Sequence, residues 1–184
     1  MSKDPKQALQ TAYYKLLTAT LDVPVYDEMG VPTDPGYPYV IIGGYSQLDW
    51  SDKTAFGEQV TVALQVVDRG TQKASRAGLY AVCDSIRSVL RRRPLPFVND
   101  PSRDDLELFE EGGLPFVHLD SFNVLSSIVD NETTLPKELD EVYTYFGSLI
   151  RFRHYIEQLE PPLDVLVDAN GDILTDGNGI ILYG

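Results

Sequence analysis

The side chains able to do chemistry are few, and each group fails a test of spacing. Asp168, Asn170 and Asp172 put oxygen donors at alternate positions, as the opening ligands of a calcium loop do. Such a loop needs Gly at its sixth position for the turn and Glu at its twelfth for bidentate ligation. Ile173 and Gly179 stand there instead, so the stretch fits a turn better than a metal site. His118 and His154 are the only histidines. Neither has a Cys or second His at ligand spacing, so zinc is not expected. The single cysteine, Cys83, cannot form an internal disulfide and is expected as a buried thiol on an apolar helix face. Arg91, Arg92 and Arg93 read either as a phosphate-binding patch or as cations at a helix C-terminus stopped by Pro94; the second reading is favoured. There is no G-x-S-x-G, no glycine-rich phosphate loop and no H-E-x-x-H. With 28 Asp and Glu residues, carboxylate pairs are too common to mark a site. No catalytic, cofactor-binding or metal residue is expected, and neither is an enzyme.

Composition narrows the classes further. A chain of 184 residues is one domain by default, and 43% hydrophobic residues suffice for a sizeable core. The net charge of −13 argues against general binding to nucleic acid or to anionic membrane, both of which need clustered positive charge. No signal-peptide h-region stands at the N-terminus and no apolar run reaches membrane-spanning length, so a cytosolic site of synthesis is expected. In that setting the sequon Asn131-Glu132-Thr133 carries no weight.

The elements follow from periodicity. Asp4 can cap a helix, with Pro5 at its first position and Gln7 completing a capping-box-like set. Ala8, Leu9, Ala12, Tyr13, Leu16 and Leu17 then recur at helical spacing to about Thr20. Val23 to Tyr26 is a short strand candidate. Gly30 to Pro38 is a Pro-rich loop, and Tyr39 begins a second strand in which Gly43-Gly44 suggests a bulge. Val60, Val62, Leu64 and Val66 alternate with polar or small residues, the pattern of a strand with one buried face. Asp68, Arg69 and Gly70 break it. Leu79, Val82, Cys83, Ile86, Val89 and Leu90 then mark a long amphipathic helix, residues 72–93, that can cover the sheet. Residues 94–115 are rich in Pro, Gly and acids, with an acidic excursion at 98–113. Val117 to Val129 reads as a strand, Asp130 to Asp140 as a polar connection, and Val142 to Ile156 as a second long strand. The fold class expected is α+β: a small, mostly antiparallel or mixed sheet with two helices on one face. Pro161-Pro162 ends the domain, taken as residues 1–160, and residues 161–184 form an appended β-hairpin arm with Asn-Gly turns.

Candidate contact residues are aromatic or basic and sit where a core does not need them. Trp50 and Phe56 bracket the loop between the second and third strands, which should project from the sheet. On the strand Val142 to Ile156, Phe146, Ile150, Phe152 and Ile156 share one side, and Tyr145, Leu149, Arg151, Arg153 and Tyr155 the other. The second side is too aromatic for a purely solvated face and too charged for a core. It reads either as a surface that touches a partner or as long side chains covering their own sheet.

The order of elements carries a resemblance. Tyr13-Tyr14-Lys15-Leu16-Leu17 in the first helix, Val25-Tyr26-Asp27, the Pro-rich loop, Tyr37-Pro38-Tyr39-Val40-Ile41, the strand–helix unit and two late strands together resemble the tail terminator, or tail-completion, proteins of long-tailed bacteriophages. The similarity covers about residues 7–157; the acidic excursion and the arm lie outside it. The resemblance implies a structural virion protein, made in the host bacterial cytoplasm, that assembles as a homohexameric ring on the tail tube. It implies as partners the tail tube protein and the head–neck connector or stopper, with genomic DNA passing through the lumen, and no membrane. A head-side adaptor or stopper ring and a host-derived binding module are the rival readings.

Overall fold

A computed structural model describes residues 4–49, 57–71, 75–93, 95–98, 116–119, 121–139 and 142–159. The fold is α+β. In chain order it comprises α1 (Pro5–Thr20), β1 (Val25–Asp27), β2 (Tyr39–Asp49), β3 (Gly57–Thr71), α2 (Ala77–Leu90), β4 (Phe97–Val98), β5 (Val117–His118), β6 (Phe122–Leu139) and β7 (Tyr143–Gln158). Five strands form one sheet in the order β1-β2-β3-β7-β6. β1 is parallel to β2 and every other pair in that sheet is antiparallel. β4 and β5 make a separate parallel pair.

Local signals account for the helices. The Asp4 carboxylate accepts the Lys6 N–H at 2.9 Å, and Pro5 occupies the first turn where no amide donor is needed. The buried residues of α1 are Pro5, Leu9, Ala12, Tyr13, Leu16 and Leu17. Those of α2 are Leu79, Val82, Cys83, Ile86, Val89 and Leu90, the set that its spacing predicts. α2 is shorter than the expected 72–93: it begins at Ala77 and ends at Leu90, where the Arg91 N–H reaches the Arg87 carbonyl at 3.0 Å, so Arg92 and Arg93 lie beyond the helix. Both helices pack on one face of the sheet, against Val40, Ile42, Val60, Val62, Leu64, Val66, Phe146, Ile150, Phe152 and Ile156, in one contiguous core.

Three expectations about strands need correction. β3 does not stop at Asp68. It runs to Thr71, because β7 supplies a continuous ladder from Gly57↔Glu157 to Thr71↔Tyr143. The stretch Val117 to Val129 is two strands, divided by a turn in which Ser121 adopts the left-handed conformation at φ 65°. Asp130 to Leu139 is not a connection but the second half of β6, paired with β7 from Asn131↔Arg151 to Leu139↔Thr144. Its polar side chains conceal a strand whose hydrogen bonds come from a distant partner. The predicted bulge is present: the β2–β3 register shifts between Gly43 and Ser46, and Gly44 sits at φ 64°, a conformation that disfavours side chains. The loop with Trp50 and Phe56, the acidic excursion and the arm lie outside the described residues.

Candidate functional site

The five-stranded sheet is covered on one face only by the described elements. Alternation along β7 sends Thr144, Phe146, Ser148, Ile150, Phe152, His154 and Ile156 inward, where all are buried. It sends Tyr145, Leu149, Arg151, Arg153 and Tyr155 outward, where all are half-buried. Four of the candidate contact residues, Tyr145, Arg151, Arg153 and Tyr155, are thus brought onto one surface. Cross-strand neighbours complete it: Arg69 opposite Tyr145, Gln65 opposite Leu149, Ala63 opposite Arg151, Thr61 opposite Arg153 and Gln59 opposite Tyr155.

The centre of this outer face is a shallow cavity of about 280 Å³. Gly43, Gly44 and Ala63 give it a low floor, with Ile41, Gln65 and Leu149 around them and Glu28 and Arg151 at its margin. The Gly43-Gly44 bulge makes room here by removing two side chains from the sheet surface. Arg153 forms an ion pair with Asp130 of β6.

At the Tyr143 end of β7 lies a cluster that the sequence pattern did not single out. The Tyr37 ring centroid is 5.3 Å from that of Tyr39 and 6.0 Å from that of Tyr145. The Arg69 guanidinium sits 4.3 Å from the Tyr37 ring centroid and 4.5 Å from that of Tyr143, in cation–π contact with both. Tyr26 packs edge-on to Tyr39 at 5.9 Å and donates its hydroxyl to the Pro35 carbonyl at 2.6 Å. Burial raises the Tyr37 phenol above its usual range, with a smaller contribution from Tyr145, so the ring stays neutral at physiological pH. The available signal was the alternation of Tyr37 and Tyr39 ahead of a strand. Ending β3 at Asp68 hid Arg69 from them.

The two histidines are far apart in environment. His118 is exposed. His154 is fully buried, with Nε2 hydrogen-bonded to the Tyr13 hydroxyl at 2.5 Å, and its ring packs edge-on to Tyr13 and Phe97. Nδ1 has no hydrogen-bond partner among the described residues. Burial pulls the imidazole pKa down to about 3, so the ring is neutral in the folded chain. This pair ties α1 to β7 in the core. Cys83 is likewise buried. Arg92, at the end of α2, lies 4.4 Å from the Phe116 ring centroid. Among the described residues, no group of three or more His, Cys, Asp or Glu can hold a metal ion, and no helix is long and apolar enough to cross a membrane.

Residues 13–114, more than half of the chain, match the family model described as tail completion protein gp17. Among curated proteins none matches. Among solved structures, the fold is similar to a chain in the virion of a native gene transfer agent particle. The TM-score is 0.50 at 20% identity, and the match covers 85% of this chain and 99% of that one.

Proposed function

The chain belongs to the tail completion protein gp17 family, structural proteins of phage-like tails, and from that premise we propose that it forms a hexameric ring on the tail tube. The ring ends tube polymerisation and presents the surface on which the head-side connector docks, while DNA passes through the lumen. The observation that supports this reading best is the outer face of the sheet. Tyr145, Leu149, Arg151 and Tyr155 stand half-buried there, beside a tyrosine–arginine cluster, with no described element over them. Tyr and Arg are the residue types enriched at the anchoring points of interfaces. The net charge of −13 suits a channel, since fixed cations are what hold phosphates and their scarcity lets DNA slide.

The segment from Gln47 to Glu58, joining β2 to β3, is assigned to the tube, with Trp50 and Phe56 as its anchors. Residues 161–184 act as an arm that reaches a neighbouring subunit.

An amber mutant of the gene, viewed by electron microscopy, tests the function. Overlong tubes and unjoined, DNA-filled heads are expected, with rescue by wild-type protein. Normal-length tails attached to heads would end the reading. Binding to the portal but not to tube protein would move the chain to the head side of the neck. Complementation with Trp50→Ala tests the loop assignment separately. A contact loss of about 2 kcal/mol is expected to impair joining more than folding, and full rescue would remove the loop from the tube interface.

A further inference from the structure

The core uses the inner face of the sheet, and nothing in it explains why aromatic rings gather at one end of the outer face. The Tyr37 ring centroid stands there 5.3 Å from that of Tyr39, which is buried, and 6.0 Å from that of Tyr145; Arg69 and Tyr143 flank them, and Tyr143 is 36% exposed. Next to Tyr145 a small cavity of about 70 Å³ lies between Gln65, Val67, Leu135, Glu138 and Gly147. Aromatic rings beside a shallow groove are the surface that takes a polyproline II segment. Such a segment has no internal hydrogen bonds, is already extended, and packs its proline rings on aromatic faces.

The sequence holds one Pro-Pro step, Pro161-Pro162, followed by Leu163 and flanked by Glu160 and Asp164. We infer that the tyrosine cluster of one copy takes Pro161-Pro162-Leu163 of the next copy in the ring.

Reach decides that the donor is a second copy. The Leu159 N–H is fixed to the Ser121 carbonyl at 2.9 Å, at the Gln158 end of β7. Tyr145 lies fourteen residues back along the same strand, about 45 Å away at the usual rise per residue. Pro161 is two residues beyond Leu159, and two residues span about 7 Å at most. A chain therefore cannot place its own Pro-Pro step on its own tyrosines. Donor and acceptor at opposite ends of one strand form a heterologous pair, the kind of contact that closes into a ring. Glu160 and Asp164 flank the segment, Arg69 is the cation at the cluster, and Glu138 is the anion on its rim. The inference rests on the ring reading and names one of its contacts.

Two synthetic peptides spanning residues 158–166 test it, one native and one with both prolines replaced by serine. Each is titrated into the full-length chain carrying Pro161→Ser and Pro162→Ser, which leaves the cluster intact and vacates the donor. Binding is read by calorimetry and by the tyrosine ring resonances. The native peptide should bind saturably, shift those resonances, and bind about tenfold more tightly than the serine peptide, the loss expected for one anchor. Tyr145→Ala in the same background should weaken the native peptide by a similar factor. Equal binding of the two peptides overturns the inference, and that comparison leaves the cluster itself unchanged. Rings that assemble equally well from the Pro161→Ser, Pro162→Ser protein also overturn it, while leaving the ring reading intact. Peptide binding by a chain that stays monomeric even with tube protein present supports the contact and sinks the ring reading instead.

Discussion

The two faces of the sheet are built from the same strands and do opposite things. On the inner face β7 contributes Phe146, Ile150, Phe152 and Ile156, none more than 5% exposed, and both helices close over them. On the outer face the intervening residues of β7 are Tyr145, Leu149, Arg151, Arg153 and Tyr155, all half-buried, over a floor thinned by Gly43 and Gly44. A strand's period of two makes this division automatic. What differs is the consequence of a change. A substitution inward should be read in folding, and one outward in assembly, and that contrast can be broken experimentally.

The largest effect is expected at Phe152, which is 0% exposed in the middle of the core. Phe152→Ala should destabilise the chain by about 3–5 kcal/mol in urea unfolding, from lost transfer free energy and the cavity left behind. A loss under about 1 kcal/mol would mean that the inner face is not the core described here.

His154 gives the next largest effect, and it depends on pH. Its folded pKa of about 3 lies below the ordinary histidine value of about 6.5, so the unfolded chain binds the extra proton first. The neutral ring's contribution is fully present above pH 6.5 and is lost as pH falls from there towards 3. Between pH 6.5 and 5, stability should drop by up to about 1.4 kcal/mol per pH unit. This part of the slope should vanish in His154→Gln. A slope unchanged by the substitution would show that the ring is not held neutral in the core.

A smaller change is expected where α2 meets β6. Arg87 donates from Nε and Nη2 to the Glu132 carboxylate, each at 3.1 Å, and also pairs with Asp84. The group is partly solvated, so Glu132→Ala should lower stability by about 1 kcal/mol or less, less again at high salt. A loss of several kcal/mol would assign this ion pair to the core.

The smallest effect on folding belongs to the outer face. Arg151→Ala should move the unfolding free energy by about 0.5 kcal/mol or less. The same variant should reduce ring formation with tube protein, measured by sedimentation. Unfolding without any assembly defect would invert the comparison between the faces.

How much of this was legible in the sequence depends on how local each signal is. The α1 cap at Asp4, the buried stripes of both helices, the alternation of β3 and β7 and the Gly43-Gly44 bulge were all readable, because each is written within a few residues of itself. The candidate surface was half readable. Tyr145, Arg151, Arg153 and Tyr155 fall on one side of a strand by periodicity alone, whereas Trp50 and Phe56 lie outside the described residues.

Tertiary structure alone decided the rest. Asp130 to Leu139 is polar and contains Pro136, and nothing local marks it as a strand. It becomes one because β7 offers a ladder, while Arg153 and Arg87 pair with Asp130 and Glu132. Tyr13 and His154 are 141 positions apart and meet only when α1 packs on β7. Tyr37, Arg69 and Tyr145 come from three separate stretches, gathered by the registers of β2 on β3 and β3 on β7. Periodicity fixes which way a side chain points from its own backbone. Its neighbour is chosen by the pairing of distant segments, which no local pattern records.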